Sequence, residues 1–125
     1  GHGVGSFLAV HEGPQSISAT GGDQPLLAGM ILSNEPGYYE TDRYGIRIET
    51  LLLVRPDERS GDTRPMLAFE TLTLAPIDRR LIEPALLTAA ETGWLNAYHQ
   101  RVHAELAPLL AEEDAAWLAR QTRPL

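Results

Sequence analysis

Two histidines and two glutamates in the first 49 residues constrain this chain more than any other feature. His2 and His11 lie nine residues apart, Glu35 ends an apolar run, and Glu49 precedes another. Imidazole and carboxylate groups are the side chains that hold divalent cations such as Zn²⁺ or Mn²⁺. Because all four residues lie near glycine-rich turns or predicted strand ends, we expect them to converge. This stretch therefore predicts part of a metal-binding active site.

Short strands separated by glycine and proline are expected around these residues. The pattern predicts strands over residues 6–11, 30–35 and 45–54, and one or two strands over 66–75. The first should end at Glu12–Pro14 and the second at Pro36, because glycine and proline interrupt a sheet ladder. Residues 38–44 are expected to connect the second and third strands, so that their pairing brings Glu35 near Glu49.

The C-terminal part of the sequence predicts helices. Thr88 and Glu91 form the spacing of a capping box, which marks a helix start. Apolar side chains then recur at intervals of three and four residues, as on one face of a helix; they are Trp94, Leu95, Tyr98, Val102 and Leu106. Pro108 should end or kink this helix. A second helix over residues 112–121 is expected to bury Trp117 and Leu118.

The predicted fold class is α+β, with a division between residues 1–65 and 66–125. The first segment should carry an antiparallel sheet and the site, and the second should be mainly helical. A hydrophobic content of 43% and a mean hydropathy of −0.18 fit a globular domain. Since the chain opens in a glycine-rich stretch without an initiator methionine, we expect it to belong to a longer protein.

Charge and cysteine content exclude several classes of partner. A net charge of −7 argues against nucleic acid and anionic membranes, which require clustered basic residues. The absence of cysteine excludes disulfides and thiolate metal sites and fits a reducing cytoplasm. No apolar run approaches the ~18 residues of a membrane-spanning helix.

Each candidate residue also has a purely structural explanation. His2 could be an ordinary turn residue, His11 could make a polar contact with Glu12, and Arg47 could neutralise Glu49. A single arginine, however, cannot balance two glutamates, and converging carboxylates repel one another without a cation. Residue types alone leave the metal and the structural interpretations equally open and assign no reaction.

Three motifs resemble a known family of enzymes. The segments GHGVGSFLAVHEGP, NEPGYYE and GIRIE are similar to those of Xaa-Pro aminopeptidases, metallopeptidases with the pita-bread fold. The segments FETLTLAPIDRRLI and WLNAYH resemble the C-terminal extension of the large three-domain members. The resemblance implies that residues 1–65 are the C-terminal portion of a pita-bread catalytic domain and residues 66–125 its mainly helical extension.

The resemblance also implies roles for the four site residues. His2 and Glu35 would bind one divalent ion, and Glu49 would bridge two ions. Glu35 would in addition carry the catalytic proton, and His11 would contact the substrate rather than the metal. Manganese is the expected metal, with zinc or cobalt as alternatives.

The implied reaction is hydrolysis of the bond between an N-terminal residue and a following proline by metal-activated water. Two aspartate ligands of the family, and a histidine normally four residues before His2, have no counterpart in this sequence. The chain alone is therefore expected to be inactive, and it need not bind metal on its own. The resemblance further implies peptide substrates with proline in second position and a cytoplasmic homodimer. Two alternatives to the aminopeptidase are a prolidase or creatinase relative and a non-catalytic dimerisation module.

Overall fold

The computed structural model describes residues 1–5, 7, 11–58 and 63–125 of the chain. These residues form two compact units, Gly1–Thr73 and Leu74–Leu125. The first unit is built from strands and the second from helices, in agreement with the predicted α+β class.

The first unit contains a five-stranded and a two-stranded sheet, both antiparallel. The strands are β1 (His2–Gly3), β2 (Glu12–Ser16), β3 (Ile31–Asn34), β4 (Gly37–Glu40), β5 (Tyr44–Arg47), β6 (Thr50–Pro56) and β7 (Leu67–Thr71). The larger sheet has the order β2-β1-β3-β6-β7, and the smaller one pairs β4 with β5. The short strand β1, in the glycine-rich stretch that opens the chain, lies inside the larger sheet.

The β3–β6 ladder fixes the position of the site. Its register runs from Ile31 opposite Leu53 to Asn34 opposite Thr50. Leu32 on β3 and Leu52 and Val54 on β6 are buried, as alternation along a strand with one core-facing side requires. The expected pairing of the strands that flank Glu35 and Glu49 is therefore observed.

One predicted strand end was wrong. Glu12–Pro14 does not end a strand but begins β2, the edge of the larger sheet. Proline is tolerated there because an edge strand can leave its missing N–H on the unpaired side. Of the strand expected over residues 6–11, positions 6 and 8–10 lie outside the described residues.

The expected single strand over residues 45–54 is divided between two sheets. Its first part is β5, which pairs with β4 in a local hairpin, and its second part is β6. The predicted connection over residues 38–44 is therefore largely this hairpin. Its turn places Asp42 at a φ of 58°, a conformation that Asp and Asn adopt more readily than most residues. Arg43 N–H donates to the Glu40 carbonyl at 3.1 Å and closes the turn.

The second unit contains two helices, α1 (Ala89–Leu106) and α2 (Glu112–Gln121). The predicted capping box is present, since the side chains of Thr88 and Glu91 each accept from the other residue's backbone N–H. A 3₁₀ turn, Ala107–Leu109, contains Pro108 and follows α1 directly. The bounds predicted for the second helix, 112–121, agree with the structure.

The core of the second unit is small. Leu95, Tyr98, Val102 and Leu118 are buried together. Trp117, which was expected to be buried, is 49% exposed, and Trp94 on the predicted apolar face of α1 is 55% exposed. Trp94 stacks on Tyr98 with a centroid separation of 5.6 Å, so it covers the core from its edge. Periodicity identifies the apolar face of a helix but not which residues lie at its margin.

Along the chain, the first compact unit ends at Thr73 and the second begins at Leu74, so β7 belongs to the first unit. The division between residues 65 and 66 thus stays a prediction about the family's domain organisation. No helix in the described ranges combines the length and apolar character needed to cross a membrane.

Candidate metal centre

The sheet register brings three of the four predicted residues together at one end of neighbouring strands. Asn34 and Thr50 form the last pair of the β3–β6 ladder, so Glu35 and Glu49 leave the two strands side by side. On the other side of β3, strand β1 pairs Gly3 with Leu32, which sets His2 next to Glu35. Residues far apart in the chain thus meet because three antiparallel strands are neighbours.

The donor atoms of these three side chains lie close together. One ligand atom from each of His2, Glu35 and Glu49 lies within 4.8 Å of the other two. The His2 Nε2 and Glu35 Oε1 atoms are 3.6 Å apart. His2 and Glu35 are partly buried, whereas the Glu49 side chain is 42% exposed. The assignment of these residues as metal ligands stays a prediction.

The imidazole of His2 is oriented by its own strand. Its Nδ1 atom lies 2.8 Å from the Gly3 carbonyl oxygen. A carbonyl oxygen can only accept, so Nδ1 carries the proton and Nε2 presents its lone pair when the ring is neutral. Nε2 therefore presents a lone pair toward the Glu35 carboxylate, an arrangement that a cation between them would stabilise. In metal-binding histidines, the ring nitrogen that does not bind the metal usually donates a hydrogen bond to a carboxylate, a backbone carbonyl or water.

Ser33 supports both Glu35 and His2, a role that the sequence pattern does not indicate. Its side chain is fully buried. Its hydroxyl donates to Glu35 Oε1 at 2.7 Å and accepts from the His2 backbone N–H at 2.9 Å. The only sequence signal is its position two residues before Glu35, which places both side chains on one face of the chain.

Glu35 is stabilised in its charged form. The Ser33 hydrogen bond is the main cause that lowers the pKa of Glu35, and the positive charge of Arg47 acts in the same direction. An ionised carboxylate at neutral pH is the form that binds a divalent cation.

Arg47 lies between the two glutamates. Its guanidinium group is 3.5 Å from Glu35 Oε2 and 3.6 Å from Glu49 Oε2. The sequence suggested that it could neutralise Glu49, and the structure adds Glu35. Because Arg47 is 51% exposed, solvent screens these contacts and each contributes little to stability. The ion pairs alone therefore do not account for the convergence of His2 with both carboxylates.

His11 lies beside His2 but outside the group of three donors. The two imidazole rings meet edge to face with centroids 4.2 Å apart, and His11 is exposed. This position leaves it available to a molecule bound at the site. Its assignment as a substrate contact stays a prediction.

The donor set fits a divalent metal ion. One imidazole nitrogen with a fixed lone pair and two carboxylates form the mixed nitrogen and oxygen ligation that suits Mn, Co or Zn. A donor set of this kind at the end of a sheet is chemically suited to a metal-dependent protein. Residues 1–56 match the metallopeptidase family M24, and residues 65–125 match the C-terminal region of peptidase M24. The chain belongs to metallopeptidase family M24.

Curated relatives cover the whole chain. It is 50% identical over 131 residues to aminopeptidase P2 of Arabidopsis thaliana, covering 100% of this chain and 18% of the relative. It is 47% identical over 132 residues to a probable Xaa-Pro aminopeptidase P of Coprinopsis cinerea, covering 100% of this chain and 21% of the relative. The chain thus spans about a fifth of the length of these relatives.

A solved structure has the same fold. The X-prolyl aminopeptidase of Caenorhabditis elegans, described as a cytosolic enzyme with a di-nuclear active site, superposes with a TM-score of 0.89 at 37% identity. The match covers 99% of this chain and 21% of that one. The predicted fold, part of a pita-bread domain with a helical C-terminal extension, is confirmed.

Proposed function

We propose that this chain supplies part of a dinuclear metal centre that hydrolyses the bond between an N-terminal residue and a following proline. The observation that carries the proposal is the convergence of His2, Glu35 and Glu49 donor atoms within 4.8 Å. It occurs in a chain of the M24 family that is similar to Xaa-Pro aminopeptidases. The domain assignment follows as part of the proposal, with residues 1–65 catalytic and 66–125 as the extension.

His2 would bind one ion through Nε2, Glu35 would bind the same ion, and Glu49 would bridge it to a second. When bound, a pair of divalent ions lowers the pKa of water and stabilises the negative charge that develops on a peptide carbonyl. Manganese is the proposed metal, and zinc and cobalt are alternatives with the same ligand preferences.

The remaining groups act on these ligands and on the substrate. Ser33 holds Glu35 ionised and oriented, so that its carboxylate can accept a proton and pass it to the leaving nitrogen. His11, adjacent to His2, would contact the substrate carbonyl. Arg47 lies within ion-pair distance of both glutamates and offsets part of their negative charge. A proline nitrogen in a peptide bond has no N–H, so recognition must rely on shape rather than on a donor at that atom.

Three protein donors are fewer than two ions share in a dinuclear site, so we propose that the chain alone binds metal weakly and turns over no peptide. The intact enzyme would act on peptides with proline in second position. We further propose a cytoplasmic homodimer; the description of the nematode relative as cytosolic supports the first part.

Two experiments test this proposal. Calorimetric titration of Mn²⁺ into the chain should show weak binding that His2→Ala or Glu49→Gln abolishes. Glu40→Gln is the matched control, because Glu40 lies on the neighbouring hairpin and pairs with Arg43. Tight binding that survives loss of His2 would contradict the ligand assignment.

Activity is tested in a chimera, with this chain replacing the matching segment of the nematode enzyme. The chimera should cleave an Arg-Pro-Pro peptide but not an Arg-Ala-Pro peptide. Glu49→Gln should reduce kcat by more than the ~10–100-fold typical of residues that only support ligands, and Glu40→Gln should leave it unchanged. A folded, metal-loaded chimera without activity on the proline peptide would overturn the proposed substrate class.

A further inference from the structure

Two adjacent side chains of α1 hold the segment that begins the second unit, residues 74–78. The Tyr98 hydroxyl donates to the Ala75 carbonyl at 2.7 Å. The Ile77 backbone N–H donates to His99 Nε2 at 3.0 Å. The backbone of this segment is thus hydrogen-bonded to α1 twice, as an acceptor at the Ala75 carbonyl and as a donor at the Ile77 N–H.

The hydrogen bond from Ile77 determines the state of His99. A nitrogen that accepts from an N–H must be unprotonated, so the ring is neutral and carries its proton on Nδ1. His99 is fully buried, and its Nδ1 atom has no hydrogen-bond partner within the described part of the chain. A second proton on Nε2 would replace the accepted hydrogen bond by two donors facing each other.

Burial and the nearby positive charge also favour the neutral form of the His99 ring. Burial is the main cause that lowers the pKa of His99, and the positive charge of Arg79 adds to it. Tyr98 lies beside the ring with its hydroxyl engaged at Ala75. Asp78 is paired with Arg80. No charge from α2 or the C-terminal residues acts on the ring as far as the described residues show.

We propose that His99 is a pH-sensitive latch, whose neutral ring holds residues 74–78 on α1 and whose protonation releases them. The folded ring has a lower pKa than the unfolded value of about 6.5, so the latch is fully engaged above that value. It weakens as the pH falls below 6.5 and is lost as the pH passes through the folded pKa. In this window the unfolding constant rises by up to about tenfold per pH unit.

Ring nitrogen NMR of the whole chain tests the tautomer. At pH 8, long-range ¹H–¹⁵N correlations of His99 should report a protonated Nδ1 and an unprotonated Nε2. As the pH is lowered to 5, protonation of the ring should coincide with faster hydrogen exchange of the Ile77 amide, after correction for intrinsic exchange. A proton on Nε2 at pH 8, or Ile77 protection that is unchanged once the ring is charged, would overturn the proposal.

A matched pair of variants tests the pH dependence. His99→Gln keeps an acceptor for Ile77 but cannot titrate, whereas His103→Gln removes a histidine one turn further along α1. In urea unfolding between pH 5 and 8, the free energy of unfolding of His103→Gln should change with pH as in the wild type. That of His99→Gln should change less with pH. An unchanged pH dependence in His99→Gln would contradict the latch. If that variant does not fold, the NMR titration of the wild-type chain decides.

Discussion

The two units of this chain use contacts of very different sequence range. In the first, β1 lies between β2 and β3, and β6 lies between β3 and β7; Gly3 therefore pairs with Leu32. In the second, the capping box joins Thr88 to Glu91, and three of the four buried core residues lie within two turns of α1. The sheet depends on register between distant segments, while the helices depend on neighbours in sequence.

The units also differ in how their buried polar groups are placed. In the second, fully buried His99 packs beside Tyr98 of an apolar core that also includes Leu95 and Leu118. In the first, fully buried Ser33 makes polar contacts with His2 and Glu35. Buried polar groups must keep their hydrogen bonds, so the sheet unit tolerates little rearrangement around the site.

The largest effect is expected in the helical core. Leu118→Ala removes a side chain that is 2% exposed and should destabilise the second unit by about 2–5 kcal/mol. Hydrogen exchange of α1 amides measures this loss. Leu86→Ala, at 82% exposure, is the control and should have little effect. Equal losses in the two variants would mean that the buried cluster is not the core.

In the sheet unit, a single methyl group should be destabilising. A Cβ atom on Gly3 would lie 2.5 Å from the Glu12 carbonyl oxygen, so β1 and β2 would have to separate. Gly3→Ala should cost about 1–3 kcal/mol, the range for overpacking. Urea unfolding followed by exchange of the β2 amides measures the effect. A neutral result would show that β2 pairs loosely with β1.

The support that Ser33 gives to the site should be visible in metal affinity. Ser33→Ala removes the hydrogen bonds to Glu35 and His2 and should weaken Mn²⁺ binding by about 10–100-fold, as for other residues that orient ligands. Thr73→Ala is the matched control, because the Thr73 hydroxyl accepts a hydrogen bond from the Leu51 backbone N–H on the same sheet. Calorimetry on the chimera provides the readout. Equal affinity in both variants would assign Ser33 a purely structural role.

The same contrast explains which features the sequence could predict. The bounds of α2 and the cap of α1 follow from signals within a few residues, and the structure agrees with them. The division between β5 and β6 was missed because no glycine, proline or other turn residue interrupts residues 46–54, while the pairing partners of the two parts lie elsewhere in the chain. His2, Glu35 and Glu49 could be identified by residue type at strand ends. Ser33 could not, since a serine within a strand has no distinctive pattern.

A smaller effect is expected at the start of α1. Thr88→Ala removes the hydroxyl that accepts from the Glu91 N–H at 3.3 Å and should cost about 1 kcal/mol at pH 7. Hydrogen bonds from the Thr88 backbone N–H and hydroxyl lower the pKa of Glu91 below its usual 4.5. The cap's contribution is therefore present above pH 4.5 and is lost as the pH falls through the folded pKa.

Urea unfolding at pH 7 and pH 3 tests this cap. The difference between wild type and Thr88→Ala should be smaller at the lower pH, because protonation of Glu91 weakens the cap. Thr92→Ala, one turn further into α1, is the control and should show no such pH dependence. A difference that is the same at both pH values would indicate that Thr88 acts without Glu91.

The smallest effect has the opposite sign and sharpens the contrast with Gly3. Gly93 lies inside α1, it is exposed, and a Cβ atom there would meet nothing within 4 Å. Gly93→Ala should stabilise the second unit by about 0.5–1 kcal/mol, because alanine loses less backbone entropy in a helix. Thermal unfolding of this variant beside Gly3→Ala compares one substitution in two settings. If both changes destabilised the protein, α1 would make a contact at Gly93 that depends on the missing side chain.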